Sequence, residues 1–569
     1  MSKSSKFILF FFIIFLVSFR NNPVPPNYTI QKSAIADNAM VVSPHPLSSE
    51  VGLEILKQGG NAVDAAIAVQ FAMAVVYPRA GNIGGGGFMV IRLADGTIDA
   101  IDYREKAPAR ADRDMYLDSL ENIIPGLSTK GHLASGVPGT VDGMLQVHQK
   151  YGKLEFKKLI QPAIKHARKG YKITQTEADR FNRFQEDFKL FNSDDSPFIK
   201  DEWLAGHRLK QRNLAKTLKL IQKNGRSGFY EGMVADQIVA EMSKGNGIIT
   251  KQDLQDYSAK WRTPLTGQYK DYTVISMPPS SSGGVALLQL LEIVEPYDLA
   301  SYGFHSPEAI HIMTEAERRV YADRSQFLGD MDFYPVPIDS LLDSVYLNNR
   351  MLDFDMAVAS VSDSTKAGAF KLKKESFETT HTSVIDAAGN AVSVTTTLNS
   401  NFGSKVLVHG AGFFLNNEMD DFSSKPGVPN QFGLVGAEAN AIQPGKRMLS
   451  SMTPTIVEKN DELFMVLGAP GGSTIITAVF QVLINVIEFD MPLDEAVVAA
   501  RFHHQWLPDM MAIEKNGFSD AIKSALKEKG HKMREIERMA VIKAVHVLEN
   551  GKLHGAADPR NPDDDAKGY

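Results

Sequence analysis

The feature that most constrains the fold is a sequence pattern near residue 380 that predicts a β-hairpin. Its strands are expected to span residues 380–386 and 391–397, with a short turn containing Gly and Asn between them. If the turn is centred midway between the strands, antiparallel pairing places Thr379 opposite Leu398. Thr379 is therefore predicted to begin a central strand.

Three hydroxyl or amide groups are predicted to converge at this strand end, because Thr397 and Asn399 fall within one residue of the position opposite Thr379. A threonine there can act as a nucleophile if another group removes its proton. No nearby histidine has the spacing of a Ser/His/Asp-type base. The remaining candidate is the α-amine of Thr379 itself, which is freed if the chain is cut before that residue.

Composition excludes several classes of partner and chemistry. The chain has 569 residues, and its 61 basic and 67 acidic side chains give a formal net charge of −6, so we expect no nucleic-acid partner. It contains no cysteine, which excludes disulfides and thiol catalysis. Its length, without a long linker, predicts one large domain or two interlocked halves.

The first 20 residues predict an export segment. Lys3 and Lys6 precede an apolar run at residues 7–19, which is short for a bilayer span and long enough for the core of a signal peptide. We therefore expect a periplasmic or extracellular protein. An uncleaved N-terminal membrane anchor is the alternative, because no small-x-small cleavage site stands out near Ser18.

The rest of the chain divides into a helical part and a strand-rich part. Two consecutive helices are expected within residues 48–76, the second ending at Val76, and residues 152–245 are typical of an outer layer of charged helices. A further helix is expected to begin at Ser306, while residues 379–569 are rich in strands. Strands are predicted at residues 88–93, 97–102, 412–415, 455–457 and 463–467.

Two histidine-containing segments carry residue types that can bind a metal ion. His311 and Glu315 lie one turn apart on the helix expected after Ser306, but without a third ligand a hydrogen-bonded or solvated helix face is the favoured interpretation. His503 and His504 are adjacent, and adjacent residues rarely converge on one ion, so packing or local hydrogen bonding is favoured there. We therefore expect neither a metal nor another cofactor.

Several loop segments carry groups that suit an amino-acid substrate. Residues 416–421 bring three carboxylates together, which suits an ammonium group, whereas the hydroxyls of Ser450 and Ser451 and the planar guanidinium of Arg104 suit a carboxylate. Residues 468–474 predict a nest of backbone N–H groups at a helix N-terminus. The nest lacks the lysine of a Walker motif, so a transient oxyanion fits better than a nucleotide phosphate. Taken singly, each segment is better explained as an ordinary turn or surface residue.

The order of these segments resembles the γ-glutamyltransferase (γ-glutamyl transpeptidase) family of N-terminal-nucleophile hydrolases. The resemblance extends from about Ala36 to Tyr569. The matching stretches are residues 59–66, 84–88, 103–108, 379–381, 415–422, 450–455 and 468–473. The resemblance implies an α+β fold, a four-layer αββα sandwich with helices on both outer faces.

The resemblance also implies that the chain cuts itself between Glu378 and Thr379. The Thr379 hydroxyl would attack the Glu378 carbonyl, and hydrolysis of the resulting ester would leave an intertwined heterodimer. Its parts would be a large subunit of residues 21–378 and a small catalytic subunit of residues 379–569. The new α-amine, with an ordinary pKa of about 7.7–8.0, could then serve as the general base.

Roles for the candidate residues follow from the same resemblance. Thr397 is expected to hydrogen-bond the nucleophile, and the N–H groups of Gly471 and Gly472 are expected to face the oxyanion. The α-ammonium group of a γ-glutamyl substrate is assigned to Asn399, Glu418 and Asp421. Its α-carboxylate is assigned to Arg104, Ser450 and Ser451. The implied substrates are glutathione and other γ-glutamyl compounds, with water or the amine of an amino acid or peptide as acceptor.

Residues 426–437 resemble the lid loop of many bacterial members of this family. Phe432 stands where an aromatic side chain with a hydroxyl or indole group is expected, so a hydrogen-bonding group is missing there. The Pro, Gly and Asn content of this region also predicts a functional loop. The choice of acceptor and the ratio of hydrolysis to transfer are left open by this difference.

Two other functions are compatible with the same scaffold. A cephalosporin or glutaryl-amide acylase would have an altered ammonium-binding set, because a glutaryl group has no α-amine, whereas Asn399, Glu418 and Asp421 are all present. A non-catalytic binding protein would not need Thr379, Thr397 or the two site glycines. The sequence therefore favours γ-glutamyl transfer over both.

Overall fold

The structure is a computed structural model that describes residues 23–367, 379–423, 425 and 438–569. Within these residues the strands are β1 (Ser33–Ala36), β2 (Met40–Ser43), β3 (Gly86–Arg92), β4 (Ile98–Asp102), β5 (Tyr171–Lys172), β6 (Arg208–Leu209), β7 (Lys260–Arg262), β8 (Leu265–Tyr269), β9 (Tyr272–Ser276), β10 (Thr380–Ile385), β11 (Ala391–Thr397), β12 (Thr455–Lys459), β13 (Glu462–Gly468), β14 (Phe502–His503), β15 (Met511–Glu514), β16 (Met533–Ile536), β17 (Lys543–Val547), β18 (Leu553–Ala557) and β19 (Asp565–Gly568).

The helices of the same residues are α1 (Pro46–Lys57), α2 (Ala62–Val76), α3 (Thr140–Tyr151), α4 (Phe156–Lys169), α5 (Gln175–Arg183), α6 (Gln185–Phe191), α7 (Arg212–Asn224), α8 (Ser227–Tyr230), α9 (Gly232–Lys244), α10 (Lys251–Asp256), α11 (Gly283–Val294), α12 (Leu299–Tyr302), α13 (Pro307–Phe327), α14 (Ile338–Leu341), α15 (Ser344–Arg350), α16 (Thr474–Ile487), α17 (Leu493–Val498) and α18 (Asp520–Glu528). Short 3-10 helices lie at His132–Ala134, Glu418–Asp421 and Glu438–Asn440.

Two seven-stranded antiparallel sheets form the centre of the molecule. Their strand orders are β1-β18-β17-β13-β12-β9-β8 and β19-β2-β10-β11-β3-β4-β7. The sheets pack face to face, since Val42, Val90 and Ile385 of one sheet share a core with Ile456 and Val466 of the other. Because side chains alternate along a strand, the residues next to these point outward to the helices.

Helices cover both outer faces of the paired sheets. Met89 and Val392 point outward from one sheet into a core built with α2, α4 and α7. Met465 and Leu467 point outward from the other sheet into a core built with α11, α13 and α16. The layers therefore run helix, sheet, sheet, helix, and the predicted α+β, four-layer αββα sandwich is confirmed.

Local sequence signals located the helix ends of the first layer well. The helix predicted to end at Val76 is α2, and Asn61 caps it through a reciprocal hydrogen-bond pair with Asp64. The preceding helix α1 begins earlier than expected, at Pro46 with His45 as its cap, since proline is preorganised for the first helical position. The helices predicted within 152–245 and after Ser306 are also present.

The predicted hairpin forms, but its register differs by one residue from the prediction. The strands β10 and β11 pair Thr380 with Thr396. Continuing this register places Thr379 opposite Thr397, and not opposite Leu398. The predicted nucleophile and the hydroxyl expected to bond it therefore start from directly opposed backbone positions.

A five-residue turn explains the shift in register. Residues 386–390 separate the paired ends of the two strands. The Asp386 carboxylate accepts hydrogen bonds from the backbone N–H groups of Ala388 and Asn390, both near 3 Å. Gly389 has a φ of 86°, which is favourable for glycine. The turn is thus centred on one residue, whereas the prediction placed its centre between two.

One predicted strand is wrong. Instead of a strand at residues 412–415, the chain makes an isolated bridge between Phe414 and Leu407. Gly412 has a φ of 80°, which lies outside the range of a β-strand. The other strands predicted at 88–93, 97–102, 455–457 and 463–467 correspond to β3, β4, β12 and β13.

Several predicted features lie outside the described residues. These are the leader at residues 1–20, Glu378 at the expected cutting point, and the lid loop 426–437 with Phe432. Across the part of the chain that is described, we find no helix that combines the length and the apolar character needed to cross a bilayer.

Candidate active site

Thr379 lies where two cavities meet, just before β10. The first, the narrow cavity, is lined by Thr379 together with Arg104, Thr397, Asn399, Asp421, Ser450, Ser451, Met452, Gly472 and Ile475. The second, the wide cavity, is lined by Thr379 together with Arg79, Pro470, Gly471, Thr474, His503, Gln505, Ala512, Arg534, Ile536, Arg538, Met539 and Val541. The fold thus brings residues from segments far apart in sequence to one threonine.

The buried Thr379 hydroxyl has no hydrogen-bonding partner among the described residues. The residue is 7% exposed, and its Oγ1 atom accepts or donates no hydrogen bond among the described residues. An unsatisfied buried hydroxyl costs about 1–3 kcal/mol, so its persistence calls for a reason. Opposite it, the Thr397 oxygen accepts the backbone N–H of Asn399 at 2.7 Å, which orients that hydroxyl group.

Arg104 contacts the two carboxylates that the sequence assigned to a substrate ammonium group. Its guanidinium lies 2.6 Å from the Glu418 carboxylate and also forms an ion pair with Asp421. All three side chains are buried, with Arg104 1% exposed. The predicted carboxylate-binding cation and the predicted ammonium-binding carboxyl groups therefore contact each other in this state.

The narrow cavity beside these ion pairs has about 10 Å³ of free volume, enough for a single water molecule at most. A zwitterionic α-amino-acid head group carries a carboxylate, which can pair with Arg104, and an ammonium group, which can pair with Glu418 and Asp421. It can take the place of their mutual contacts charge for charge, if the pairs separate as it enters.

A glycine-rich turn forms the wall next to Thr379. It connects the end of β13 to the start of α16, and Gly471 and Gly472 have φ angles of 141° and 61°. A Cβ atom on Gly471 would lie 2.5 Å from the Cα of Ala540, so no larger residue fits there. The turn precedes a helix N-terminus, where N–H groups favour negative charge, as predicted for the oxyanion.

Comparison with known proteins gives the family. A family model described as gamma-glutamyltranspeptidase matches residues 48–568. The chain belongs to the γ-glutamyltranspeptidase family. It is 47% identical to the glutathione hydrolase proenzyme of Escherichia coli (strain K12), an alignment that covers 96% of this chain and 95% of the relative. The predicted resemblance is therefore confirmed, and the chain is an enzyme of this family.

Solved structures place γ-glutamyltranspeptidases and acylases on one fold. A cephalosporin acylase from Bacillus halodurans superposes with a TM-score of 0.84 at 26% identity, covering 96% of this chain and 98% of the acylase chain. A γ-glutamyltranspeptidase chain from Helicobacter pylori has a TM-score of 0.56 at 44% identity, covering 60% of this chain and 97% of its own length. This chain is thus more similar in sequence to the Helicobacter pylori transpeptidase than to the Bacillus halodurans acylase.

Burial perturbs the acidic groups around Arg104. It raises the pKa of Glu418 well above its ordinary value, and it raises the pKa of Glu105, whose carboxylate is 3.6 Å from the Arg104 guanidinium, to about 8. In both cases the positive charge of Arg104 opposes the effect of burial. A pKa of about 8 favours the protonated form of Glu105 near neutral pH, and this form lowers the negative charge beside Arg104.

The Glu105→Gln variant should lose part of the pH dependence of folding stability. Between its ordinary pKa of 4.5 and the folded value of about 8, the folded protein holds a proton that the unfolded chain has released, so stability falls as pH rises. The loss is on the order of 4 kcal/mol by pH 8, and glutamine does not suffer it. Urea unfolding at pH 5 and pH 8 measures the difference.

Glu549→Gln, at an exposed position, is the matched control for this measurement. It should change the two unfolding free energies equally. An identical fall in stability between pH 5 and pH 8 for the Glu105→Gln variant and the unaltered protein would contradict the assignment of a proton to Glu105.

Sequence reasoning missed Arg324, which lies behind the serine pair. From α13, its guanidinium donates hydrogen bonds of 2.9 Å to the hydroxyls of Ser282 and Ser451, and the Ser282 hydroxyl donates to the Ser450 carbonyl. Burial lowers the pKa of Arg324 to about 10, so it stays charged near neutral pH. Nothing in the local sequence marks it, because α13 is buried along nearly its whole length.

The structure brings a third residue to the His311 and Glu315 pair. His311 Nδ1 lies 2.7 Å from His531 Nε2. The geometry could hold a metal ion, but Glu315 forms ion pairs with Arg318 and Arg319 at 3.2 and 2.6 Å. Two guanidinium groups already neutralise the carboxylate and would repel a cation. The contacts are those of the hydrogen-bonded helix face that the sequence favoured.

Proposed function

We propose that this enzyme cleaves the γ-glutamyl amide bond of glutathione and related compounds and passes the acyl group to water or to the amine of an amino acid or peptide. The observation that carries the proposal is the narrow cavity, which places the Thr379 hydroxyl beside Arg104 and Asp421. A nucleophile next to one buried cation and a carboxylate fits an acyl donor with an α-amino-acid head group. The name of the Escherichia coli relative, a glutathione hydrolase proenzyme, supports it.

Maturation occurs by self-cleavage between Glu378 and Thr379. The Thr379 hydroxyl oxygen adds to the Glu378 carbonyl carbon, the C–N bond breaks, and the departing nitrogen takes the hydroxyl proton. Water then hydrolyses the ester. The products are a large subunit, residues 21–378, and a small subunit, residues 379–569, that begins with Thr379.

The two subunits stay together because both sheets mix their strands. In one sheet β10 and β11, from the small subunit, lie between β2 and β3, from the large subunit. In the other sheet β12 and β13 lie between β17 and β9, so β9 of the large subunit pairs with a small-subunit strand. The mature enzyme is therefore an intertwined heterodimer.

Turnover follows two acyl-transfer steps. The α-amine of Thr379 takes the proton of its own hydroxyl, the oxygen attacks the γ-carbonyl, and the donor's C–N bond breaks as the leaving amine accepts the proton. In the second step water or an acceptor amine attacks the ester carbonyl and gives a proton to the α-amine of Thr379. The ester C–O bond breaks, and the Thr379 oxygen takes that proton as it leaves. The N–H groups of Gly471 and Gly472 stabilise the oxyanion in both steps.

Within the substrate site, the ammonium group is held by Asn399, Glu418 and Asp421. The carboxylate is held by Arg104, Ser450 and Ser451, with Arg324 positioning Ser451. Thr397 steadies the nucleophile from the opposing strand. These assignments rest on the family resemblance and on the narrow cavity that most of these residues line. Glu418 is assigned through its contact with Arg104, and Arg324 through its hydrogen bond to Ser451.

Export and a lid complete the proposal. The leader at residues 1–20 directs the protein to the periplasm or the extracellular space, or anchors it there. The resemblance assigns the role of a lid to residues 426–437, and Phe432 stands there in place of the hydrogen-bonding aromatic side chain expected at its position.

Two anilide donors test the proposal against the acylase alternative. γ-Glutamyl-4-nitroanilide and glutaryl-4-nitroanilide differ by the α-ammonium group, and both release the same yellow amine. We expect kcat/KM to favour the γ-glutamyl donor by about 100-fold or more, because the glutaryl donor leaves buried carboxylates without their partner. Equal rates, or faster glutaryl release, would refute γ-glutamyl specificity and support an acylase.

A further inference from the structure

The wide cavity adjoins the nucleophile on the side of Gly471. It has a volume of about 330 Å³, and Thr379 is the residue that lines both cavities. The neighbouring glycine, Gly472, lines the narrow cavity. If the γ-glutamyl head group occupies the narrow cavity, the amine that leaves the γ-carbonyl carbon must use the wide cavity. The acceptor amine that attacks the ester must use it as well.

One wall of the wide cavity is the small sheet formed by β14, β15 and β16. His503 pairs with Ala512, and Ala512 pairs with Arg534, so the three residues form a row across the strands. All three line the cavity, as does Ile536, two residues after Arg534 on the same face of β16. The small Ala512 side chain leaves space between the histidine and the arginine.

The lining of the wide cavity is positively charged. Its described lining residues include Arg79, Arg534 and Arg538 and no aspartate or glutamate. Glu535, which alternates with Arg534 along β16, forms an ion pair with Lys523 at 2.7 Å, and Glu537 forms one with Lys515 at 2.9 Å. The neighbouring acidic side chains are thus neutralised elsewhere and do not cancel the arginines.

Arg534 is the arginine that is available to a ligand. Arg79 donates hydrogen bonds to Asn401 and to the Tyr77 hydroxyl, and Arg538 donates to the Arg560 carbonyl at 3.2 Å. Arg534 is exposed, and its guanidinium group forms no hydrogen bond or ion pair with any described residue. A guanidinium at the edge of a cavity, without a protein partner, matches a carboxylate through two parallel hydrogen bonds.

We infer that the wide cavity binds the leaving group and the acceptor, and that Arg534 selects those that carry a carboxylate. This inference rests on the proposed function, since it concerns the amine side of the same reaction. The dipeptide that glutathione releases ends in a carboxylate, as do amino acids and dipeptides that could act as acceptors. Arg534 is thus a specificity-determining residue that does not touch the acyl group.

A pair of donors that differ in one carboxylate tests this role. γ-Glutamyl-4-nitroanilide has a neutral leaving group, and γ-glutamyl-3-carboxy-4-nitroanilide carries a carboxylate on the same ring. For Arg534→Glu we expect kcat/KM for the carboxylated donor to fall about 10-fold relative to the neutral donor, whose kcat/KM should stay within about 2-fold. Arg534→Lys should keep most of the preference, because it keeps the charge.

Two controls make the result specific. Arg110→Ala removes an exposed arginine outside the cavity and should leave the ratio of the two donors unchanged. The preference of the unaltered enzyme for the carboxylated donor should weaken as salt is raised, since an exposed pair is screened. The same variants should discriminate less between glycylglycine and glycylglycinamide as acceptors.

Three outcomes would overturn the inference. The first is an unchanged ratio of the two donors in Arg534→Glu. The second is an equal loss for both donors, which would indicate general damage to the site. The third is no turnover of the neutral donor by the unaltered enzyme, which would refute the proposed function itself and is distinguishable because it needs no Arg534 variant.

Discussion

The Thr379→Ala variant is expected to remain one uncut chain and to release no γ-glutamyl group. In the proposed mechanism both reactions use the Thr379 hydroxyl oxygen as nucleophile, and the α-amine proposed as base stays in an amide bond until the chain is cut. We expect kcat to fall by about 10⁴-fold or more, the range seen when a catalytic nucleophile is removed. A denaturing gel measures the first effect and an anilide assay the second. N-terminal sequencing of the small fragment from the unaltered protein should give Thr379 as the first residue.

Neighbouring substitutions separate chemistry from folding. Thr379→Ser keeps a hydroxyl and should cut itself and turn over, although more slowly. Thr380→Ala removes the adjacent hydroxyl, which is also buried without a hydrogen-bonding partner, and should still be processed and active. Complete processing or full activity of Thr379→Ala would exclude Thr379 as the nucleophile.

Loss of Arg104 should harm stability and activity together. Arg104→Ala leaves Glu418 and Asp421 buried without their cation, which destabilises a protein by about 3–5 kcal/mol. It also removes the group proposed to bind the substrate carboxylate, so kcat/KM for a γ-glutamyl anilide should fall by about 10³-fold. Urea unfolding and steady-state kinetics measure the two losses.

A charge-neutral triple variant distinguishes these two roles. Combining Arg104→Met with Glu418→Gln and Asp421→Asn removes the unpaired charges, so most of the stability should return. Activity should stay low, because Asn399, Ser450 and Ser451 offer the charged head group only neutral hydrogen bonds once the three charged side chains are replaced. A γ-glutamyl anilide turned over normally by Arg104→Ala would show that the carboxylate is bound elsewhere.

Local patterns predicted much of the fold because their causes are local. Asn61 and Asp64, which are three residues apart, cap α2. The hairpin that follows Thr379 is indicated by its two strand patterns and its glycine-containing turn. The register of that hairpin was missed by one residue, since it depends on which backbone groups the Asp386 side chain binds. A side-chain hydrogen bond of this kind does not show in a hydrophobic pattern.

The sequence predicted most of the residues that line the site, but it did not predict which of them contact each other. The family resemblance located Arg104 and Asp421, and the fold lines one cavity with both. Their mutual ion pair was not foreseen, because each was assigned to a different part of the substrate. Arg324 and Arg534 were missed for a related reason: they come from a buried helix and from a short strand that only the tertiary fold brings to the serine pair and to Thr379.

The interleaved strands have a consequence for the life of the mature enzyme. Once the chain is cut, β10 and β11 can leave their sheet only if their hydrogen bonds to β2 and β3 break along both edges at once. Refolding from separated fragments becomes a bimolecular and concentration-dependent event, whereas the first folding was unimolecular. The covalent link thus acts as a single-use assembly template, and partner exchange between mature molecules should be as slow as global unfolding.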